Sequence, residues 1–187
     1  MSTELRFTIH DLELFPQDGR RYEIIDGELY VSSQPHWRHQ RTSDQFVVAL
    51  DAWDSDSSLG VVISAPGVIF ASDEAVAPDL VWISREQFDR VVGEDGKFHA
   101  APDLVIEILS PGSENAQRDR EIKLKLYSRR GVREYWIVDW PSSTVLVYRR
   151  EQAALHLMAT LNGDDTLTSP LLPGFAQRIG DLCAAPA

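Results

Sequence analysis

Two hydrophobic periods alternate along the chain, and their order outlines a fold. Residues 21–32 read as a β-hairpin turned at Asp26-Gly27, a pair that tolerates positive φ. After Pro35, the apolar positions Phe46, Val47, Leu50 and Trp53 fall at helical spacing and predict a helix over 36–54. Carried back, that stripe runs through Ser43, His39 and His36, so the buried face turns polar in its N-terminal half. Short strand-like runs follow at 61–64, 68–70 and 79–83, and then an exposed, polar stretch at 85–100. Residues 103–109, Asp-Leu-Val-Ile-Glu-Ile-Leu, form the most strongly β-patterned segment. Ser113 is a candidate N-cap for a helix over 114–130, with Gly131 as its stop. Two more strands are expected at 133–139 and 144–148, joined by Pro141-Ser142-Ser143, and the tail beyond Asn162-Gly163 is weakly patterned.

This order predicts an α/β (α+β) architecture: a mixed β-sheet flanked by a helix on each side, with an N-terminal hairpin. No fixed-period repeat and no linker divides the chain, so one domain is expected over 1–187. A Rossmann fold or a P-loop is not expected, because no βαβ unit carries a Gly-rich turn.

Composition adds bounds. A hydrophobic fraction of 43% and a charged fraction of 25% suit a folded chain rather than a disordered one. Cys183 is the one cysteine and can form no internal disulfide. No signal pattern opens the sequence and no apolar run approaches the ~20 residues of a membrane span, so a cytoplasmic location is expected. The net charge of −11 opposes a nucleic-acid partner for the body as a whole. Residues 118–133 run against it: Arg118, Arg120, Lys123, Lys125, Arg129, Arg130 and Arg133 face only Asp119 and Glu121. That segment is either a local basic face or a plain solvated helix.

Three features attract chemical attention. Glu107 interrupts an apolar strand, where a carboxylate is costly unless it is paired, metal-bound, or turned to water at a sheet edge. Asp79 and Asp103 each follow a proline and compete as its partner. Asp103 shares a strand face with Glu107 but stands four residues away, roughly 13 Å at ~3.3 Å each. Two carboxylates on one hard cation, bound at ~2.1 Å, must lie much closer. Asp79 fits if its strand neighbours that of Glu107. On the wheel of the 114–130 helix, Ile122, Leu126 and Tyr127 define the inward arc, which also takes in Asp119, Lys123 and Arg130. Lys123 either snorkels to the edge or approaches Glu107, since the returning helix brings 119–123 to about the depth of that residue. Two carboxylates, a divalent metal and a lysine together suit phosphodiester hydrolysis.

Pro78-Asp79 followed by Glu107-Ile-Leu resembles the PD-(D/E)xK nuclease superfamily, of restriction-endonuclease-like fold. Leu109 stands where the in-line lysine belongs, and Lys123 matches members whose lysine has moved to the following helix. More closely, the chain resembles the Uma-type putative restriction endonuclease family of bacterial proteins. The resemblance runs from about 20 to 180 through the segments 22–29, 102–111, 131–139 and 172–175, together with His39, Pro78-Asp79, Asp119, Lys123 and Tyr127. It implies a Mg²⁺-dependent DNA endonuclease, with Mn²⁺ as a substitute, Asp79 and Glu107 as metal ligands and Lys123 as the catalytic lysine. It also suggests Glu23 as a further acid, although the sequence alone makes Glu23 an ordinary hairpin residue. Arg118, Arg120 and Arg130 are the candidate contacts to a DNA backbone, and a homodimer would suit double-strand cutting.

The rival expectation is a non-catalytic macromolecule-binding or assembly module that keeps the nuclease fold, which the charge of −11 favours. His36 and His39 are read as a polar lining of the cleft rather than zinc ligands, and Trp136, Trp140 and Tyr148 as core or interface rather than base-stacking platforms.

Overall fold

In the computed structural model, residues 5–55, 57–110 and 118–185 are described. A short helical turn, α1 (Ile9–Leu12), leads into the predicted hairpin of β1 (Arg21–Ile25) and β2 (Glu28–Ser32). Helix α2 (Trp37–Asp54) follows, then β3 (Gly60–Ser64), β4 (Val68–Ala71), β5 (Glu74–Val76), β6 (Leu80–Ser84) and α3 (Arg85–Val91). The central strand β7 (Leu104–Ile108) is followed by a π-helical turn over Arg118–Lys123 that passes into α4 (Leu124–Arg130). The chain ends with β8 (Glu134–Asp139), β9 (Thr144–Glu151), β10 (Ala154–Leu161), β11 (Thr166–Ser169), β12 (Leu172–Arg178) and α5 (Ile179–Leu182). The expected N-cap Ser113 lies outside the described residues. No helix among the described residues is long and apolar enough to cross a membrane.

A six-stranded mixed sheet, ordered β10-β9-β8-β7-β6-β3, forms the centre. Only β7 and β8 run parallel. A parallel pair needs a long crossover, and the segment bearing α4 supplies it. Successive side chains of β7 leave on opposite faces. Leu104, Ile106 and Ile108 join Phe46 and Leu50 of α2, Trp136, and Phe175 of β12 in one core. Val105 and Leu109 face the other way, into a second core with Leu126 and Tyr127 of α4 and Ile25 of β1. Glu107 shares the alternation of Val105 and Leu109, so this second face carries an acid where the pattern calls for an apolar residue. The smaller sheet, β2-β1-β5-β4, contributes Ile25, Val68 and Val76 to the same core.

Two expectations are corrected. The stretch 85–100 is not simply exposed: it holds α3, and Val91 and Phe98 are buried. The weakly patterned tail is structured, because β11, β12 and α5 cover the first core with Leu167, Leu172, Phe175 and Leu182.

Candidate active site

The antiparallel register of β6 and β7 pairs Leu80 with Ile106. One step further along stand Asp79 and Glu107, from neighbouring strands as the geometry of a shared cation demands. The backbone N–H of Ile108, the residue after Glu107, donates to Asp79 Oδ2 at 2.8 Å. Asp79 thus lies against the peptide that follows Glu107, and both acids are buried. Asp103 is at the opposite end of β7, where it accepts from the Ser84 N–H, Gln87 and Arg133. Of the two aspartates, Asp79 is the one that lies beside Glu107.

Lys123, the last residue of the π-helical turn, places Nζ 2.8 Å from Glu107 Oε1 and 3.1 Å from Glu23 Oε1. Tyr127, one helical turn on and on the same helix face, donates its hydroxyl to the same Glu107 oxygen at 2.8 Å. Single-turn π geometry recurs at functional positions, and here it occurs where the helix presents Lys123 inward. Burial, followed by the negative charge of Glu107, raises the Tyr127 hydroxyl well above the ordinary tyrosine value and keeps it a donor.

Strand β1 supplies two more groups. Arg21 and Glu23 are two residues apart and leave the strand on one side. The guanidinium of Arg21 donates to Asp79 Oδ1 at 2.8 Å. Glu23 is fully buried and accepts from the Ala77 N–H at 3.0 Å, just ahead of Pro78-Asp79. The residue that reads as an ordinary hairpin position is therefore part of the cluster, in contact with Lys123.

His39 of α2 completes it, with Nε2 3.1 Å from Asp79 Oδ2. A carboxylate can only accept, so Nε2 carries the proton. The other ring nitrogen, Nδ1, is buried with no hydrogen-bond partner among the described residues. Burial would push the Asp79 carboxyl upward, but the His39 hydrogen bond and the charges of Arg21 and Lys123 outweigh it and hold the group well below the carboxylate range. Burial likewise opposes the charge on Arg21, and the ion pair with Asp79, helped by Glu107 and Glu23, holds it above its ordinary value.

Asp79, Glu107, Arg21, His36 and His39 line one cavity of about 570 Å³, within the usual range for ligand sites. Lys123 does not line it; its ammonium sits behind Glu107 with no solvent exposure. The basic residues expected to meet a DNA backbone divide. Arg120 is half-exposed and 3.8 Å from Asp139. Arg130 is paired, together with Arg129, with buried Glu74. The side chain of Arg118 lies outside the described residues.

Oxygen donors and no thiol suit a hard divalent ion. Among the described residues, no group of three or more His, Cys, Asp and Glu side chains is arranged to hold a metal. Two carboxylates are nonetheless enough for Mg²⁺, which keeps several waters and commonly takes one or two carboxylates plus substrate phosphate. Asp79 Oδ2 already accepts twice, whereas Oδ1 accepts from Arg21 alone and retains a lone pair.

The whole chain can be set beside solved structures. It superimposes with a TM-score of 0.76 on the crystal structure of a putative nuclease belonging to DUF820 from Anabaena variabilis ATCC 29413, at 21% identity, covering 95% of this chain and 97% of that one. At that identity the likeness establishes the fold. No curated protein matches the sequence. A family model described as "Putative restriction endonuclease", Uma2, matches residues 8–182, nearly the full length. The chain belongs to the Uma2 family.

Proposed function

We propose that the protein is a metal-dependent endonuclease that hydrolyses DNA phosphodiester bonds in the cavity between β6, β7 and α2. The observation that carries this reading is the buried contact of Lys123 with Glu107 beside a cavity that also holds Asp79. Asp79 and Glu107 are the residues that would hold Mg²⁺, or Mn²⁺ in its place. An ion there would lower the pKa of water and offset charge on the phosphate.

The chain's own groups prepare that site. Lys123 and Tyr127 both donate to Glu107 Oε1, which fixes the carboxylate at the cavity wall. His39 and the Ile108 N–H fix Asp79 in the same way through Oδ2. Arg21 and Lys123 supply fixed positive charge beside and behind the carboxylates. In a buried site such charge offsets the negative charge that builds on the phosphoryl oxygens as water adds to phosphorus and the P–O bond breaks. Lys123 acts through Glu107 and is a positioning residue.

Incubation of plasmid and linear DNA with the purified protein and Mg²⁺ or Mn²⁺ tests the reading. Cleavage that disappears on chelation and in Asp79→Ala and Glu107→Ala supports it. A folded wild type that cuts neither of these nor single-stranded DNA with either metal rejects it.

One observation favours a second reading. A net charge of −11 repels a polyanion from most of the surface, which suits a non-catalytic binding module that retains the fold. Calorimetric titration separates the two: the module takes up neither Mg²⁺ nor Mn²⁺ at millimolar concentration.

A further inference from the structure

Eight large hydrophobic side chains are exposed among the described residues, and Trp37 is the one aromatic ring among them, 57% exposed. Scattered exposed aliphatics need no explanation. Trp37 is not scattered. It is the first residue of α2, directly after His36, which lines the cavity beside Asp79 and Glu107. The His36 ring stacks on Trp140 with centroids 5.5 Å apart and planes within 13°. The Arg38 guanidinium lies 5.2 Å from the Trp140 ring and 5.8 Å from the Trp37 ring. Both distances are within cation–π range. Trp140, Arg38 and Trp37 therefore form a layered ledge next to His36 of the cavity wall, buried at Trp140 and open at Trp37.

Charge on this ledge opposes that of the whole molecule. The first turn of α2 contains no acid; Arg38 is half-buried and Arg41 exposed, and neither has an ion pair among the described residues. Arg41 is one turn from Trp37 on the same helix face. Arg20, also lining the cavity, has 62% of its side chain exposed and is 3.4 Å from Asp18, and the half-exposed Arg120 is beside Asp139, which precedes Trp140. The positive end of an 18-residue helix adds to the same field.

We propose that Trp37 is a stacking platform for an unpaired base of single-stranded DNA, with Arg38 and Arg41 on the flanking phosphates. The proposal rests on the nuclease reading for the identity of the polymer, and it adds the class of substrate. In an intact duplex every base is already stacked between neighbours and no face is free for an indole. An exposed aromatic ring among cations takes bases from single strands without regard to sequence. A strand running from the ledge into the cavity places an unpaired nucleotide next to the phosphate that faces Asp79 and Glu107.

The test is anisotropy of a fluorescent dT₁₂ and of a blunt 12-base-pair duplex, titrated with wild type, Trp37→Phe and Trp37→Leu in EDTA. Loss of one base–aromatic stack weakens binding by roughly 5- to 150-fold. The expected result is a loss of that order for dT₁₂ with Trp37→Leu, affinity within a few-fold of wild type with Trp37→Phe, and little change on the duplex. Equal affinity of Trp37→Leu and wild type for dT₁₂, or an equal loss on the duplex, overturns the proposal. So does sedimentation showing a dimer that Trp37→Leu dissociates, since the ring would then cover a second copy of this chain. The titration needs no cleavage, so it stands or falls independently of the Mg²⁺ assay on the nuclease reading.

Discussion

Lys123 Nζ and Glu107 Oε1 meet at 2.8 Å with neither side chain more than 2% exposed. Such a pair is expensive to desolvate, and a hydrophobic replacement of both partners is often neutral or stabilising. Its presence in a strand that is otherwise apolar therefore calls for a reason other than stability. Fixing a carboxylate at a cavity wall is such a reason.

Lys123→Met removes the ammonium that lies between the buried carboxylates of Glu23 and Glu107. The expected loss in urea-induced unfolding is roughly 3–5 kcal/mol, and adding Glu107→Gln to Lys123→Met recovers part of it. A loss below about 1 kcal/mol contradicts the description of this cluster as a mutually compensating set.

Much of this site was legible in the sequence because its residues break a pattern. Glu107 stands out against Leu104-Val-Ile and Ile108-Leu109, and Lys123 against Ile122, Leu126 and Tyr127. Strand spacing alone was enough to prefer Asp79 to Asp103, which the β6–β7 register supports. Arg21 and Glu23 carried no such signal: both sit in a hairpin that alternates ordinarily, and their burial comes from β5 and the 77–79 connection packing over them. Trp37 carries no signal either, because nothing in the sequence distinguishes an exposed tryptophan from a core one. The tail hid its strands for another reason. In β10 most side chains are exposed or half-exposed, and β12 contains Pro173-Gly174, which reads as a chain breaker. Gly174 does adopt φ +82° there.

The two basic residues of the 118–130 segment with described side chains that were expected on DNA should now behave differently. Arg130→Ala removes a group already held by Glu74, so the slope of log binding constant against log salt concentration should be unchanged. Arg120→Ala should lower that slope by about one phosphate contact. Equal slopes for the two variants contradict the assignment.

Gly131 ends α4 with φ +94°, and a Cβ added there would meet nothing within 4 Å. The cost of Gly131→Ala is then backbone strain alone, roughly 1–2 kcal/mol, with Gly131→Asn costing less. Thermal unfolding of the two variants checks the order. An alanine variant as stable as wild type contradicts the left-handed cap.

Cys183 is buried in the first core, and burial, reinforced by the charge of Asp139, pushes its thiol up to about 11. A raised thiol pKa means that the neutral form is favoured in the fold and that the thiolate appears only as pH rises toward that value. Alkylation by iodoacetamide at pH 8 should be slow in the native protein and fast in urea, where the ordinary value near 8.5 returns. Fast native labelling at pH 8 contradicts the buried placement.

The account depends most on two carboxylates gripping one divalent ion. Crystals soaked in Mn²⁺ and measured for anomalous scattering test this directly. The expected result is a peak bonded to oxygens of both Asp79 and Glu107, lost in Glu107→Ala. A map with no peak there at millimolar Mn²⁺, or with the ion held by other residues, contradicts it.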